Sequence, residues 1–198
     1  MQYPKPILDL IDSYSLLPGI GRKTAIRLAF HTLKMNDNDI NNFAKSLVEL
    51  KEKLTNCEVC HRLSETSVCD ICTDNSRDKS TICVVANDND LVAMENMQQY
   101  RGVYHVLDGL ISPMDGIGPL DINIKSLFKR AQDPIVKEII LATNSSPEGE
   151  GTASFISKYL KNTDIKVTRI AQGISFGSDI EYVDEVTLSR AISGRIEI

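Results

Sequence analysis

The chain has no stretch approaching the roughly 18 uninterrupted apolar residues that a membrane span requires, which argues against an integral membrane protein. It also lacks the leading apolar run of a secretory signal: MQYPKPILDLIDSY carries Asp9 and Asp12 where such a run would lie. Export is therefore not expected, and a cytoplasmic location is. No internal repeat and no low-complexity tract interrupts the 198 residues. The last absence is positive charge, since the net formal charge is -5. An evenly basic nucleic-acid binder is thereby excluded, but a localised basic surface is not.

That charge is unevenly spread. Residues 1–62 hold nine Lys/Arg and seven Asp/Glu, and the remainder holds thirteen against twenty. The first part is thus near +2 and the rest near -7, which places any nucleic-acid footprint near the start, on Arg22, Lys23, Arg27 and Lys34. A solvated face with a slight excess of base would look the same by charge alone.

Patterning divides the chain into modules. Ile7, Leu8, Leu10 and Ile11 predict a short helix ending near Leu17. Pro18-Gly19-Ile20-Gly21 forces a turn, and a second helix is expected from Lys23 or Thr24 to about Lys34. A third is expected from about Asp39 to Leu54, with Ile40, Phe43, Leu47 and Leu50 on one face. Residues 55–78 lose periodicity and contain four cysteines. Beyond Thr81, apolar runs at 82–85, 103–107, 139–142 and 167–170 read as buried strands. Helical patterns at about 89–99, 121–131 and 151–160 alternate with them, and a last one falls near 184–193. Strands alternating with helices predict a parallel sheet covered on both faces, with 112–119 as a loop over it.

Three segments carry chemistry. In Leu17-Pro-Gly-Ile-Gly-Arg-Lys-Thr-Ala25, the glycines remove side chains and permit positive φ, so another backbone can approach closely. The following helix then offers free N–H groups and the positive end of its dipole, a binding site for a phosphate oxygen that reads no base. Lys23 and Arg27, four apart, extend the contact along one face. A tight corner that merely packs two helices, or contacts a protein, is the alternative. Cys57-x2-Cys60 and Cys69-x2-Cys72, eight residues apart, form two knuckles whose sulfurs can converge on a tetrahedron. Four thiolates suit one structural Zn²⁺ with no open coordination position. Disulfides and an iron–sulfur cluster compete, the first disfavoured by the expected compartment. His61 is a bystander in this reading, Cys83 a core residue, and His31 and His105 packing or surface residues.

The third segment is Ala142-Thr-Asn144 with Glu148-Gly-Glu150, at the C-terminal end of a strand, where open α/β sheets place their sites. It resembles the third-strand motif of the Toprim domain of topoisomerases, primases and related nucleases. The resemblance implies that Mg²⁺-binding carboxylates would fall at Asn144, Ser146 and Ala86, all neutral here. Asp88 and Asp90 are candidate substitutes or, in the preferred reading, the start of the next helix. No phosphoryl-transfer activity is expected.

The turn resembles the helix-hairpin-helix motif, which holds DNA backbones without sequence preference. Hairpin, CxxC pair, Ile111-Ser-Pro-Met-Asp-Gly-Ile-Gly-Pro119, the Toprim-like strand end and Glu181-Tyr-Val-Asp-Glu-Val-Thr-Leu188, in this order over essentially the whole chain, resemble the RecR family of recombination proteins. The resemblance implies an α/β protein with a helical helix-hairpin-helix module (1–54), a small four-cysteine zinc finger (55–78), a Toprim-like parallel sheet with flanking helices (79–176) and a C-terminal segment for oligomerisation (177–198). It implies a non-catalytic mediator that, with RecO and in some settings RecF, helps load RecA on gapped DNA. Its members assemble as dimers or ring-shaped tetramers. Expected DNA contacts are Gly19, Gly21, Arg22, Lys23 and Arg27, expected metal ligands Cys57, Cys60, Cys69 and Cys72, and the expected partner-facing residue is Glu148.

Overall fold

In a computed structural model, residues 3–197 are described, and the chain separates into two compact units, residues 1–54 and 55–198. Met1, Gln2 and Ile198, the outermost positions of the expected terminal modules, lie outside the described residues.

The first unit is helical. α1 (Lys5–Ser15) starts after Pro4, with Pro6 in its first turn, where a missing N–H costs nothing. α2 (Arg22–Thr32) follows the glycine turn and packs on α1, burying Ile11 against Ala25 and Ala29, with Ile7, Leu10 and Ile26 around them. The two small residues let the helices approach closely, and the Tyr14 and Thr32 hydroxyls join them at 2.7 Å. α3 (Asp37–Lys53) is capped by Asn36, whose side chain accepts from the Asp39 N–H at 2.9 Å. Its expected apolar face exists, but Phe43, Leu47 and Leu50 remain exposed and no residue of α3 is fully buried.

The second unit begins with a minimal antiparallel pair, β1 (Thr55–Asn56) and β2 (Leu63–Ser64), followed by the short α4 (Asp70–Thr73). The main sheet follows: β3 (Asp78–Val85), α5 (Asp88–Asn96), β4 (Gly102–Val106), α6 (Ile124–Arg130), β5 (Glu138–Leu141), α7 (Pro147–Leu160) and β6 (Lys166–Arg169), closed by α8 (Glu185–Ser193). Strand order is β4-β3-β5-β6, and all three pairings are parallel. Alternation along β3 explains the unbroken apolar run: Ile82 and Val84 pack with Leu127, Ile139 and Ile156, while Cys83 and Val85 pack with Leu91, Tyr104 and the cysteine knuckles. Cys83 is a core residue, fully buried.

Two elements start earlier than their patterns suggest. β3 runs back to Asp78 because the polar Asp78–Thr81 stretch still pairs along the sheet, with a register shift between Asp78 and Ile82. α7 starts at Pro147 and not near 151: Ser146 caps it by accepting from the Gly149 N–H, and Gly149 and Gly151 disguise its first turn. Gly149 is required there, because a Cβ would collide with the Asn144 carbonyl oxygen. The loop between β4 and α6 is ordered by a Ser112↔Ile117 bridge, a 3-10 turn at Pro113–Asp115 and left-handed Gly116.

Candidate DNA interface, metal centre and sheet edge

At the α1–α2 corner, Gly19 is left-handed (φ +79°) and supplies the turn, whereas Gly21 is extended (φ -77°). The expectation of positive φ thus holds for one glycine. Gly21 is the residue before α2, and no side chain caps that helix. Among the described residues, a Cβ at either glycine would meet nothing within 4 Å, so the corner leaves room for an approaching chain. Lys23 and Arg27 are exposed on α2 and make no ion pair among the described residues. Arg22 reaches back to Asp12 at 2.9 Å, but both side chains are exposed, and such a pair yields readily to a phosphate.

The four cysteines of the two knuckles converge. Their Sγ atoms all lie within 4.8 Å of one another, and Cys60 and Cys69 are 3.6 Å apart. A tetrahedral tetrathiolate with metal–sulfur bonds of about 2.3 Å has edges of roughly 3.8 Å, so the cluster fits such an ion. All five cysteines are free thiols. Local backbone explains the convergence: Cys57 N–H donates to the Arg62 carbonyl at 2.8 Å and His61 N–H to the Cys57 carbonyl at 2.9 Å, closing the first knuckle. Cys69 is the residue before α4, and its N–H points at the Cys57 sulfur at 3.3 Å. Burial opposes ionisation of Cys57, yet N–H groups of Cys69, Cys60 and Val59 outweigh it and draw the thiol down to about 7. The Cys60 thiol is pushed well above its usual range by its hydrogen bond with Cys72 and by burial. A cation is what would let all four ionise together.

The surroundings are built as carefully. His61, with φ +64°, stands edge-on to His105 with centroids 5.2 Å apart and is not among the converging ligands. His105 is fully buried and neutral: its Nε2 donates to the Asn123 carbonyl at 2.8 Å and its Nδ1 accepts from Arg130 at 3.1 Å. Burial and the Arg130 charge lower its pKa to about 3. Arg130 also donates to the Tyr104 carbonyl at 2.7 Å and faces no carboxylate in ion-pair range among the described residues. Burial disfavours its charge, and the negative groups that favour it most are Cys72, Cys60 and Cys57.

The C-terminal edge of the sheet carries a cavity of about 420 Å³ lined by Ala86, Asn87, Asp108, Asp115, Asn144 and Glu148, among others. The positions where Toprim chemistry needs carboxylates hold Ala86, Asn144 and Ser146, and Ser146 is committed to capping α7. Asp88 does not substitute, because it accepts from the Leu63 N–H at 2.8 Å and so ties the first knuckle to α5. Asp90 lies in the first turn of α5 behind the Asn87 cap. Glu150 is occupied by Arg169 and Arg190, both at 2.7 Å, and by Gln172 at 3.0 Å. Hydrogen bonding from Gln172, with the two arginines, holds its carboxyl below the ordinary range. Glu148 is half-buried at the cavity and forms no ion pair among the described residues. Asp108 and Asp115 enter from the loop, and the Ser-Pro-Met-Asp-Gly segment could have signalled the second of them. Asp115 accepts the Ser112 hydroxyl at 2.6 Å. No group of three His, Cys, Asp or Glu converges on one point here among the described residues; the cysteine cluster alone does so.

A Toprim-like sheet stripped of its metal carboxylates, in a chain that also carries a hairpin suited to phosphate, defines a class of protein that handles nucleic acid without cutting or joining it. Residues 80–171 match the Toprim domain, 7–51 the helix-hairpin-helix of RecR, and 173–196 the RecR C-terminal region. Recombination protein RecR of Staphylococcus haemolyticus (strain JCSC1435) is 59% identical over 198 residues, all of both chains. That of Staphylococcus aureus (strain Newman) is likewise 59% identical over the full length of both. The chain belongs to the RecR family, the non-catalytic, DNA-binding mediators of recombination. No helix among the described residues is long and apolar enough to cross a membrane.

Proposed function

We propose that the chain is a cytoplasmic clamp that grips DNA at the Gly19–Gly21 corner and, with RecO and in some settings RecF, helps load RecA on gapped DNA. The observation that carries this reading is the uncapped α2 N-terminus behind two side-chain-free residues, flanked by exposed Lys23 and Arg27, which make no ion pair among the described residues. Main-chain amides hold one phosphate, and Arg22, Lys23 and Arg27 neutralise its neighbours, with no base read. Cys57, Cys60, Cys69 and Cys72 hold one structural Zn²⁺, which closes a segment too polar to fold alone. Assembly into a dimer or ring-shaped tetramer is supported by the uncovered apolar face of α3 and by exposed Ile180, Tyr182 and Ile192 in the C-terminal segment. Glu148, a carboxylate at the sheet edge with no ion pair among the described residues, faces a protein partner.

The test is DNA affinity across a salt series for the full chain and for Lys23→Ala/Arg27→Ala. Removing two phosphate contacts should lower the log–log salt slope on duplex DNA by about 1.8 and weaken binding uniformly across sequences. An unchanged slope would remove the hairpin from the grip.

A further inference from the structure

Between α6, α7 and the first cysteine knuckle lies a cavity of about 620 Å³, apart from the hairpin, the cysteine cluster and the sheet edge. Its lining includes Lys125, Lys129, Phe128, Tyr159, Gln132 and His61, and no carboxylate among the described residues. That absence is informative, because residues 55–198 hold fourteen Lys/Arg against twenty-one Asp/Glu. Lys125 and Lys129 stand one turn apart on α6 and make no ion pair among the described residues. Tyr159 lies flat on Phe128, centroids 3.7 Å apart and planes 9° from parallel, yet it is 58% exposed. One face of its ring is therefore backed by a buried phenyl group and the other is open. Phe155, one turn earlier on α7, supports Phe128 from 6.4 Å. At the knuckle end, His61 Nε2 is buried without a hydrogen-bond partner among the described residues.

We infer that this cavity is a second nucleic-acid contact, specific for single strands: an unstacked base lies on Tyr159 and the flanking phosphates pair with Lys125 and Lys129. A pre-oriented ring that shares one cavity with two cations suits a ligand with a flat aromatic part and anionic flanks, which describes a nucleotide within a strand. Duplex DNA hides its base faces and cannot offer one to Tyr159. The inference rests on DNA binding by the chain, but not on the α1–α2 hairpin.

The experiment is fluorescence anisotropy of the full chain with a labelled twenty-nucleotide oligothymidylate and with a duplex of equal length. Tyr159→Ala should bind the single strand about tenfold more weakly, with duplex affinity within about twofold of the parent, and Tyr159→Phe should restore single-strand binding. Lys125→Ala/Lys129→Ala should lower the single-strand salt slope by about 1.4. Photocrosslinking of the unmodified chain to an oligonucleotide carrying 5-iododeoxyuridine should label Tyr159, which gives a reading even if a variant unfolds. Unchanged single-strand affinity in folded Tyr159→Ala, or a crosslink confined to residues outside the cavity, overturns the proposal. So does an acidic, aromatic peptide that needs Tyr159 for binding while the oligonucleotide does not, since the cavity would then be a protein site. Lys23→Ala/Arg27→Ala should weaken both DNA forms, so failure of the hairpin and failure of this cavity are distinguishable.

Discussion

Gly19 and Gly21 are two residues apart and meet different demands. Gly19 is left-handed, a conformation that costs an alanine about 1 kcal/mol, so Gly19→Ala should lower the melting temperature. Gly21 is extended with open space around it, so Gly21→Ala should melt within a degree or two of the parent. It should nevertheless bind DNA several-fold more weakly, since the methyl group stands where a phosphate must approach the α2 amides. Anisotropy and thermal melting of the pair separate the roles, and parental DNA affinity in Gly21→Ala would contradict the close-approach argument. Arg130 is the other residue whose setting predicts an effect. Four thiolates around a divalent ion carry two net negative charges, and Arg130 is the cation that Cys72, Cys60 and Cys57 favour. Arg130→Met should lose metal to a chelator about tenfold faster than the parent, read by a colorimetric zinc indicator. An equal rate would mean that the charge is balanced elsewhere.

Among the elements, α8 is fastened by a carboxylate of the degenerate sheet edge. Glu150, on α7, receives Arg190 from α8, Arg169 from β6 and Gln172 from the connecting segment. Because its carboxyl is held below the ordinary value of 4.5, its contribution to stability is complete above that pH and is lost as pH falls through the lowered one. Hydrogen exchange should therefore show α8 loosening first below about pH 4.5, and Glu150→Gln should loosen it already at neutral pH with little further acid dependence. Protection of α8 that ignores both changes would show the latch to be incidental. This latch was not legible in the sequence, since Glu150 and Arg190 are forty residues apart and nothing local joins them. The strands were legible because burial on both faces leaves unbroken apolar runs such as Ile82–Val85. The start of α7 was not, because Pro147, Gly149 and Gly151 look like a turn until the Ser146 cap and the Asn144 contact are seen. The cysteine spacing announced its convergence, but not Arg130, which arrives from the distant α6.

For the whole molecule, charge and topology point the same way. The unit of residues 1–54 carries the free cations Lys23 and Arg27, and the unit of residues 55–198 is acidic except at local sites. Few phosphate contacts per chain suffice if copies assemble around DNA, because enclosure turns weak contacts into a multivalent grip. An acidic body then limits indiscriminate coating. The apolar face of α3, exposed at Phe43, Leu47 and Leu50, gives such an assembly a surface to bury. The most direct measurement is retention on closed circular DNA, loaded at low salt with oligomer mass determined in the same buffer, then washed at high salt before and after a single restriction cut. Oligomers should stay on the intact circle, slide off once it is linear, and leave the DNA backbone unbroken in magnesium buffer. Equal loss from circle and line, or cleavage of the circle by the pure protein, would contradict this expectation.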